Sequence, residues 1–343
     1  MTKLRSSHRQ SFRISGQTYL WLAISIFGAS SAVTRKITEI GAENLIGGTN
    51  PISLCNVLFV GNLCALIILI TIYWRDWNKV ALKQLSFKNW FNLTIVAILS
   101  GAIAPGLIFQ GLALTQVNNI VLVGRLEPPL TLALSVWLLK ERVNIWQVVG
   151  AIASFIGVIL TITLQPPTNA MMMSAGGFHI GVGELLAAVG SVALSVSIVI
   201  TIKYLLQIPA GIYSIFRTAL GTVIFFFLAL RLYGGDHFMN AFSPFLWRWM
   251  FAYAGIIVVV GQSFWIRGLR ACSVSMASLA SSFIPIIGIL AAYLILAEAP
   301  TQAQYLGGGV ILFGIFLSQV GIWRQSSTEE KQTIENKIGF KGI

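Results

Sequence analysis

Long apolar runs separated by short polar segments recur along the whole chain. They lie near residues 17–35, 52–74, 89–113, 117–139, 143–164, 183–205, 209–233, 245–269, 273–296 and 301–323. A helix of about 20 apolar residues can cross a hydrocarbon core of about 30 Å. Backbone polar groups in lipid must be hydrogen-bonded within their own segment, so each run is predicted to be helical. The pattern predicts an all-α integral membrane protein with ten transmembrane helices.

The composition agrees with this class of protein. The chain is 56% hydrophobic and only 10% charged, whereas soluble domains have about a quarter charged residues. The net charge of +12 could suggest nucleic acid as a partner. Lysines and arginines in cytoplasmic loops explain the charge more simply. We therefore expect a lipid bilayer, and no nucleic acid, as a partner.

The positive residues also predict the orientation. With the N-terminus in the cytoplasm, most of the 23 lysines and arginines fall in inside segments, and only Arg35, Lys36, Arg231 and Arg248 fall outside. This bias predicts that both ends are cytoplasmic, with a basic tail at 1–16 and a polar, disordered tail at 324–343. The expected location is the plasma membrane, of the bacterial inner-membrane type.

An internal repeat divides the chain into two halves of five spans. A single offset of 157 residues aligns spans two to five with spans seven to ten. The matched pairs are Pro128 and Pro285, Glu141 and Glu298, Gln147 and Gln304, Gly150 and Gly307, and Gly157 and Gly314. An odd number of spans in each half forces the repeats, 17–164 and 183–323, to be inverted, with an extracytoplasmic linker at 165–182. Inverted repeats are typical of secondary transporters, and some channels also have them.

The doubled pattern Pro-x12-Glu-x5-Gln-x2-Gly-x6-Gly resembles the paired EamA domains of the drug/metabolite transporter superfamily. FGASSAVTRK near the first span and IFRTALG at 215–221 are similar to that family's first and second helices. The resemblance implies a ten-helix exporter or exchanger of small polar metabolites. It also implies a central cavity lined by the third and fourth spans of each half and by the first spans.

Two ionisable residues lie near mid-membrane by their distance along the predicted spans. They are Glu127 in span four and Arg217 in span seven. An isolated charge there costs at least about 2.5–3.5 kcal/mol, so such groups usually pair and face the protein interior. We expect both to face a common cavity that binds substrate; the alternative is a pair that only locks the halves together. Arg125, two positions from Glu127, is expected on another helical face.

Proline marks the same region in both halves. Pro128 and Pro285 each remove a backbone donor, and broken helices near the midplane mark binding sites in transporters. The second half of the site is predicted at SSFIP, 281–285, with Ser282 as a binding residue. Phe109 and Trp265 could stack on a substrate, although packing is the commoner role. Asn118 and Asn119 are interpreted as a helix cap, and Glu184 as a solvated charge.

These features favour a secondary transporter that exports a small organic metabolite by alternating access. Proton coupling through Glu127 stays open, because a free carboxyl would be protonated and a paired one ionised. The alternative is a passive channel or facilitator. No enzyme activity, catalytic residue, cofactor or metal site is expected, since the three cysteines lack CxxC spacing and the three histidines lie in the tail or loops. Small-residue pairs in spans five and ten favour close packing, with homodimerisation as a weaker alternative.

Overall fold

The computed structural model describes residues 15–45, 50–52, 54–78, 82–140, 143–164, 172–175, 178–205, 207–233, 243–272, 276 and 280–339. Each predicted run contains a helix there, and the helices are numbered in chain order. The first half has α1 (Gly16–Glu43), α2 (Leu54–Tyr73), α3 (Phe87–Leu114), α4 (Val117–Leu139) and α5 (Ile145–Thr163). The second half has α6 (Val182–Leu205), α7 (Ala210–Tyr233), α8 (Pro244–Tyr253, Ala254–Gly261 and Gln262–Ala271), α9 (Ile284–Leu296) and α10 (Gln302–Gly339).

The described helices form an all-α membrane fold, as predicted. Seven of them, α2 to α7 and α10, are long and apolar enough to span a bilayer, and α9 is a shorter apolar helix. The count of ten crossings and the side of the membrane on which the ends lie stay predictions. The linker between the halves contains two antiparallel strands, β1 (Met172–Ala175) and β2 (Phe178–Gly181).

Several helices begin at polar residues that cap their free N–H groups. The side chains of Ser15, Ser86, Asn144 and Ser243 accept hydrogen bonds from the first turns of α1, α3, α5 and α8. Such caps contribute about 1 kcal/mol each. They give the apolar runs sharp beginnings at the positions where the polar loops end.

Irregular turns interrupt the helices that belong to the centre of each half. Leu99–Ile103 in α3 and Ala254–Gly261 in α8 are π-helical. These segments overlap when the chain is shifted by the repeat offset. The α4 helix has a 3₁₀ turn at Gly124–Leu126 and a π-helical end at Ser135–Leu139. Single π-helical turns are frequent at functional sites because they leave the regular hydrogen-bond pattern open.

The contact between α5 and α10 reveals the symmetry of the inverted repeat. Gly150 packs on Gly314, and Gly157 packs on Gly307. Gly307 is the repeat equivalent of Gly150, and Gly314 is that of Gly157, so the repeat relates the two contacts to each other. The hydroxyl of Ser154 donates to the carbonyl oxygen of Ile311 at 3.4 Å, and these two residues are 157 positions apart. Contact between equivalent positions places them on the pseudo-two-fold axis between the halves.

The same contact bears on the predicted dimer. The small residues of α5 and α10 are used against each other within one chain. Homodimerisation through these helices stays a prediction, and it would have to use their outward faces.

The first helix of each half packs mainly on the other half. The α1 helix lies against α8 and α9, and α6 lies against α3 and α4. Gly28 of α1 leaves no room for a β-carbon beside Ile284 and Ile287 of α9. Because the first helix of each half packs on the other half, α1, α4, α6 and α9 lie together at the centre of the molecule.

The polar segment after Arg324 differs from the prediction. Disorder was expected there, but α10 continues without a break to Gly339. Residues 325–338 contain no proline or glycine and are rich in glutamate, lysine and glutamine. These residues favour helix, and an existing helix extends more readily than a new one nucleates.

Candidate functional site

The centre of α4 is broken between two charged residues. Pro128 and Pro129 have no N–H groups, so the carbonyl oxygen of Arg125 lacks both of its usual helical donors. The chain responds with the 3₁₀ turn, in which the N–H of Glu127 donates to the carbonyl oxygen of Gly124. The hydroxyl of Ser195 on α6 donates to the carbonyl oxygen of Glu127 at 3.0 Å and holds the break against α6.

A cavity of about 430 Å³, termed the main cavity, lies beside this break. Its walls come from α4, α5, α10 and the start of α9. The lining residues are Arg125, Glu127, Pro128, Pro129, Leu132, Gln147, Ala151, Ser154, Ser281, Ser282, Ile284, Ile315, Ser318, Gln319 and Ile322. Ser282 accepts a hydrogen bond from the Gln319 side chain at 3.1 Å. The main cavity thus brings Glu127, Arg125, Pro128 and Ser282 together, and their role in binding stays a prediction.

A second cavity of about 200 Å³, termed the deep cavity, lies on the other side of the same break. It is enclosed mainly by α1, α3, α4 and α6, and its lining includes Phe27, Ser30, Ser31 and Ser191. Arg125, Glu127 and Ile284 line both cavities. Arg125 was expected on a face away from Glu127, but the cavities wrap around α4 and both side chains border them.

The charges of Arg125 and Glu127 attract each other across this short stretch. The Nε atom of Arg125 is buried without a hydrogen-bond partner. Within the described residues, the Glu127 carboxylate also takes part in no hydrogen bond or ion pair that satisfies ordinary contact distances. The pair is therefore enclosed but not saturated by protein groups.

Arg217 occupies a different place from the one expected. Its Nε atom lies 2.9 Å from the Ser100 hydroxyl, and its Nη2 atom lies 2.7 Å from the Ser100 carbonyl oxygen. Ser100 belongs to the π-helical turn of α3. The structure does not bring Arg217 to Glu127. Arg217 does join the two halves, but through α3 and α7.

The remaining predicted residues lie behind the cavities. Phe109 packs in apolar clusters with Phe59 and other side chains. Trp265 meets the ring of Phe27 edge-on, with 6.4 Å between centroids, and so supports the wall of the deep cavity from behind. Pro285 is buried at the start of α9, next to the lining residue Ile284.

A hydrogen-bonded group of polar residues joins the start of α4 to the α9–α10 turn. The Val117 N–H donates to Glu298 Oε2 at 2.9 Å, and Asn118 Nδ2 donates to the Glu298 carbonyl oxygen at 3.3 Å. Gln304 Nε2 donates to Asn119 Oδ1 at 2.6 Å and to Gln116 Oε1 at 2.9 Å. These contacts tie the two repeats together at the end predicted to face outside.

Two further helices join the same group. Asn119 Nδ2 donates to Glu184 Oε1 on α6 at 2.6 Å, and the Thr115 hydroxyl also bonds to that carboxylate. Arg35 of α1 donates to the carbonyl oxygens of Leu112 and Thr115. We call this group the outer network. Its members are Arg35, Thr115, Gln116, Asn118, Asn119, Glu184, Glu298 and Gln304.

The outer network corrects two sequence interpretations. Asn118 and Asn119 do not cap α4 with their side chains; both are fully buried and bond to other helices. Glu184 is buried, not solvated. The signal that could have revealed the network is a pair of asparagines beside an apolar run, together with the repeated glutamine at 304.

Burial raises the pKa of Glu298 above its ordinary value. The hydrogen bond from the Val117 N–H and the charge of Arg35 act in the opposite direction, but more weakly. Glu298 follows α9 in the turn to α10. This carboxyl, which lies within the outer network, is therefore protonated more easily than a solvated glutamate.

The two repeat-related glutamines both make contacts between the halves. Gln304 bonds to Asn119 in the outer network, and Gln147, which lines the main cavity, accepts a hydrogen bond from the Ser318 hydroxyl at its carbonyl oxygen at 3.5 Å. The main cavity also extends to Gln319 and Ile322, near the end of α10 that is predicted to face the cytoplasm. Glu141, the equivalent of Glu298, lies outside the described residues.

Known proteins resemble this chain over nearly its whole length. Residues 15–163 and 181–319 each match the model of the EamA-like transporter family. An uncharacterized transporter of Synechocystis sp. is 44% identical over 340 residues, which cover 96% of both chains. An uncharacterized transporter of Bacillus subtilis is 24% identical and covers 91% of this chain and 97% of its own.

A solved crystal structure shares the fold at 16% sequence identity. Its TM-score is 0.51, and the match covers 87% of this chain and 96% of that one. The helices, the two family matches and the bacterial relatives agree on a multi-pass protein of the inner membrane. The chain therefore belongs to the EamA-like transporter family and is a membrane transporter.

Proposed function

We propose that this protein is a secondary transporter that exports a small organic metabolite by alternating access. The observation that carries the proposal is a pair of cavities between the two halves that share a positive and a negative side chain. We call the main and deep cavities together the chamber, and Arg125 and Glu127 line both of them. The outer network separates this chamber from the end predicted to be outside.

The different surroundings of the two ends support alternation between two states. The main cavity extends to Gln319 and Ile322 near the end predicted to face the cytoplasm, whereas the outer network joins helices of both halves at the other end. An inverted repeat can exchange these roles, because each half can adopt the arrangement of the other. In the exchanged state the chamber would open at the opposite end.

The outer network favours a carrier over the alternative of a passive channel. A channel needs a continuous polar path, whereas here buried side chains of α4, α6 and α10 bond to one another and to the α9–α10 turn at one end. Opening that end requires several hydrogen bonds to break together, and each is worth about 1 kcal/mol. Such a barrier suits a conformational change driven by substrate binding.

Coupling to protons is part of the same proposal, and Glu127 is its site. Among the residues that line the two cavities, Glu127 is the acidic one. A carboxyl in a largely apolar cavity can exchange a proton when the chamber faces each side in turn. An inward proton gradient would then drive export of the substrate.

Counterflow in proteoliposomes tests this function. Vesicles with the native chain are loaded with amino acids, nucleosides or organic acids, and uptake of labelled counterparts is followed with and without a pH gradient. We expect saturable exchange, and Glu127→Gln should lose its response to the gradient. Glu43→Gln, which alters an exposed carboxylate at the end of α1, serves as the matched control. Linear, non-saturating flux would instead favour a channel.

A further inference from the structure

The chamber holds one positive and one negative side chain that the protein leaves unsatisfied. Arg125 has a buried Nε atom without a hydrogen-bond partner, and Glu127 faces the same two cavities. Buried polar atoms normally have partners, because an unmet donor loses its bonds to water without replacement. The unmet groups therefore indicate a ligand that supplies complementary charges.

We infer that the transported substrate is a small zwitterion, whose carboxylate binds Arg125 and whose ammonium binds Glu127. This inference rests on the proposed transport function and names the chemical class of the substrate. It follows from the charges that meet in the chamber and from the groups around them.

Charge balance selects a zwitterion over a simple ion. A monovalent anion at Arg125 would leave the carboxylate of Glu127 without compensation, and a cation at Glu127 would leave Arg125 uncompensated. Uncompensated charge is costly in a medium of low dielectric, even when a neighbouring charge gives partial relief. A net-neutral ligand with two opposite charges satisfies both residues and keeps the chamber neutral during transport.

The geometry of each charged group suits its proposed partner. A guanidinium presents several donors in one plane, which matches the two oxygens of a carboxylate. On the other side, an ammonium needs several acceptors. The Glu127 carboxylate is one, and the carbonyl oxygen of Arg125 is another, because Pro128 and Pro129 cannot donate to it.

The remaining walls indicate an aliphatic substituent. Leu132, Ile284 and Ile315 line the main cavity, and its lining contains no aromatic side chain among the described residues, while Phe27 lines the deep cavity. The volume of about 430 Å³ lies within the range of about 300–1,000 Å³ that is typical of small-molecule sites. A zwitterion of amino-acid size with a branched aliphatic group fits this combination of charge and apolar surface.

Three related compounds separate the two charges experimentally. Leucine carries both charges, leucinamide lacks the carboxylate, and N-acetylleucine lacks the ammonium. Binding to the purified native chain is measured by the shift of its melting temperature, and transport by counterflow. We expect leucine to bind about tenfold to a hundredfold more tightly than either blocked compound, since each loses hydrogen bonds to a charged group.

Single variants should separately weaken the preference for leucine over leucinamide and the preference for leucine over N-acetylleucine. Arg125→Gln should reduce the preference for leucine over leucinamide and keep the preference over N-acetylleucine; Glu127→Gln should do the reverse. Glu43→Gln should match the native chain in both ratios. A merely structural role would lower affinity for all three compounds alike and would leave the ratios unchanged, which would overturn the inference.

The outcomes also separate this inference from the proposed function. Counterflow of nucleosides or organic acids without any response to leucine leaves the transporter in place and refutes the zwitterion. Equal binding of leucine and either blocked compound also refutes it. Selective binding of leucine without counterflow of any compound supports the zwitterion site and contradicts transport.

Discussion

The guanidinium of Arg217 holds two helices from opposite halves together. It bonds to both the hydroxyl and the carbonyl oxygen of Ser100, in a part of α3 where the helix widens into a π-helical turn. Gly101 leaves no room for a β-carbon beside the Arg217 backbone. Arg217 is thus a structural link between α3 and α7, and the substrate chamber lies elsewhere.

Replacement of Arg217 by leucine should therefore destabilise the fold. Two hydrogen bonds from a charged donor are lost, and the Ser100 carbonyl oxygen loses its partner, so we expect a loss of about 2–4 kcal/mol. The melting temperature in detergent measures this loss. Arg231→Leu, at the exposed end of α7, is the control and should change little. An unchanged melting temperature for Arg217→Leu would contradict the structural role.

The sequence predicts some of these single residues well and others poorly. Glu127 and Ser282 could be placed in a cavity because intramembrane charges and broken helices have few other environments. The partner of Arg217 could not be found, since it includes a backbone carbonyl oxygen in a π-helical turn that no residue pattern announces. Glu184 looked solvated because it begins a helix, and its burial depends on Thr115 and Asn119 of other helices.

At the scale of helices, α5 and α10 form the closest contact between the halves. A β-carbon on Gly157 would lie 2.7 Å from the carbonyl oxygen of Gly307, whereas one on Gly309 would meet nothing within 4 Å. Small residues let membrane helices approach closely enough for their backbones to touch. The stability of this contact should depend on which glycine is enlarged.

Two alanine substitutions test that dependence. Gly157→Ala should destabilise the chain by about 1–3 kcal/mol, because the added methyl group forces α5 and α10 apart. Gly309→Ala adds the same methyl group to the neighbouring helix in open space and should be neutral or slightly stabilising. Thermal unfolding of both variants in one detergent provides the comparison. Equal changes in melting temperature for the two variants would show that the close approach of α5 and α10 does not limit the stability of the fold.

The positions of the helices follow from apolar length, and only some of their internal breaks follow from proline. Runs of about 20 apolar residues fix where a helix must lie in a bilayer. Pro105 comes shortly after the π-helical turn of α3 and cannot donate to the carbonyl oxygen of Gly101. No proline lies within Ala254–Gly261 of α8, so sequence alone gives no reason for that turn. The extension of α10 was missed because a polar composition was taken to mean disorder.

At the scale of the whole molecule, the outer network joins helices of both halves at the end predicted to face outside. Glu298 is the part of it whose charge state should respond to pH. Burial raises its pKa, Val117 and Arg35 oppose that shift, and Glu39 adds to it. A pKa that is raised in the folded chain means that protonation of Glu298 stabilises the fold relative to the unfolded chain. This stabilisation is fully present below the ordinary pKa and is lost as the pH rises through the raised value.

Glu298→Gln removes this dependence, because glutamine resembles the protonated carboxyl at every pH. The native chain should therefore lose stability relative to Glu298→Gln as the pH rises from acid to neutral. Melting curves at a series of pH values measure the difference. Glu43→Gln is the control and should run parallel to the native chain. A native chain that gains stability relative to Glu298→Gln with rising pH would contradict the direction of the pKa shift.

The whole-molecule arrangement was partly predictable. The doubled motif gave the inverted repeat, and the contact of Ser154 with Ile311 places its axis between α5 and α10. The outer network was not predictable, because its hydrogen bonds join side chains of helices that are far apart in sequence.

The central claim is that one chamber opens to the two sides of the membrane in turn, and thiol labelling tests it most directly. In a chain whose native cysteines are replaced, Ser282→Cys reports on the main cavity and Ile120→Cys on the deep cavity. A membrane-impermeant thiol reagent should reach Cys at 282 from the cytoplasmic side. Outside labelling at position 120 should stay slow and should increase when Asn119→Ala weakens the outer network.

That result would mean that the outer network is the barrier at the closed end. If Asn119→Ala leaves outside labelling at position 120 unchanged, or raises it without slowing cytoplasmic labelling at position 282, the alternating-access account is contradicted.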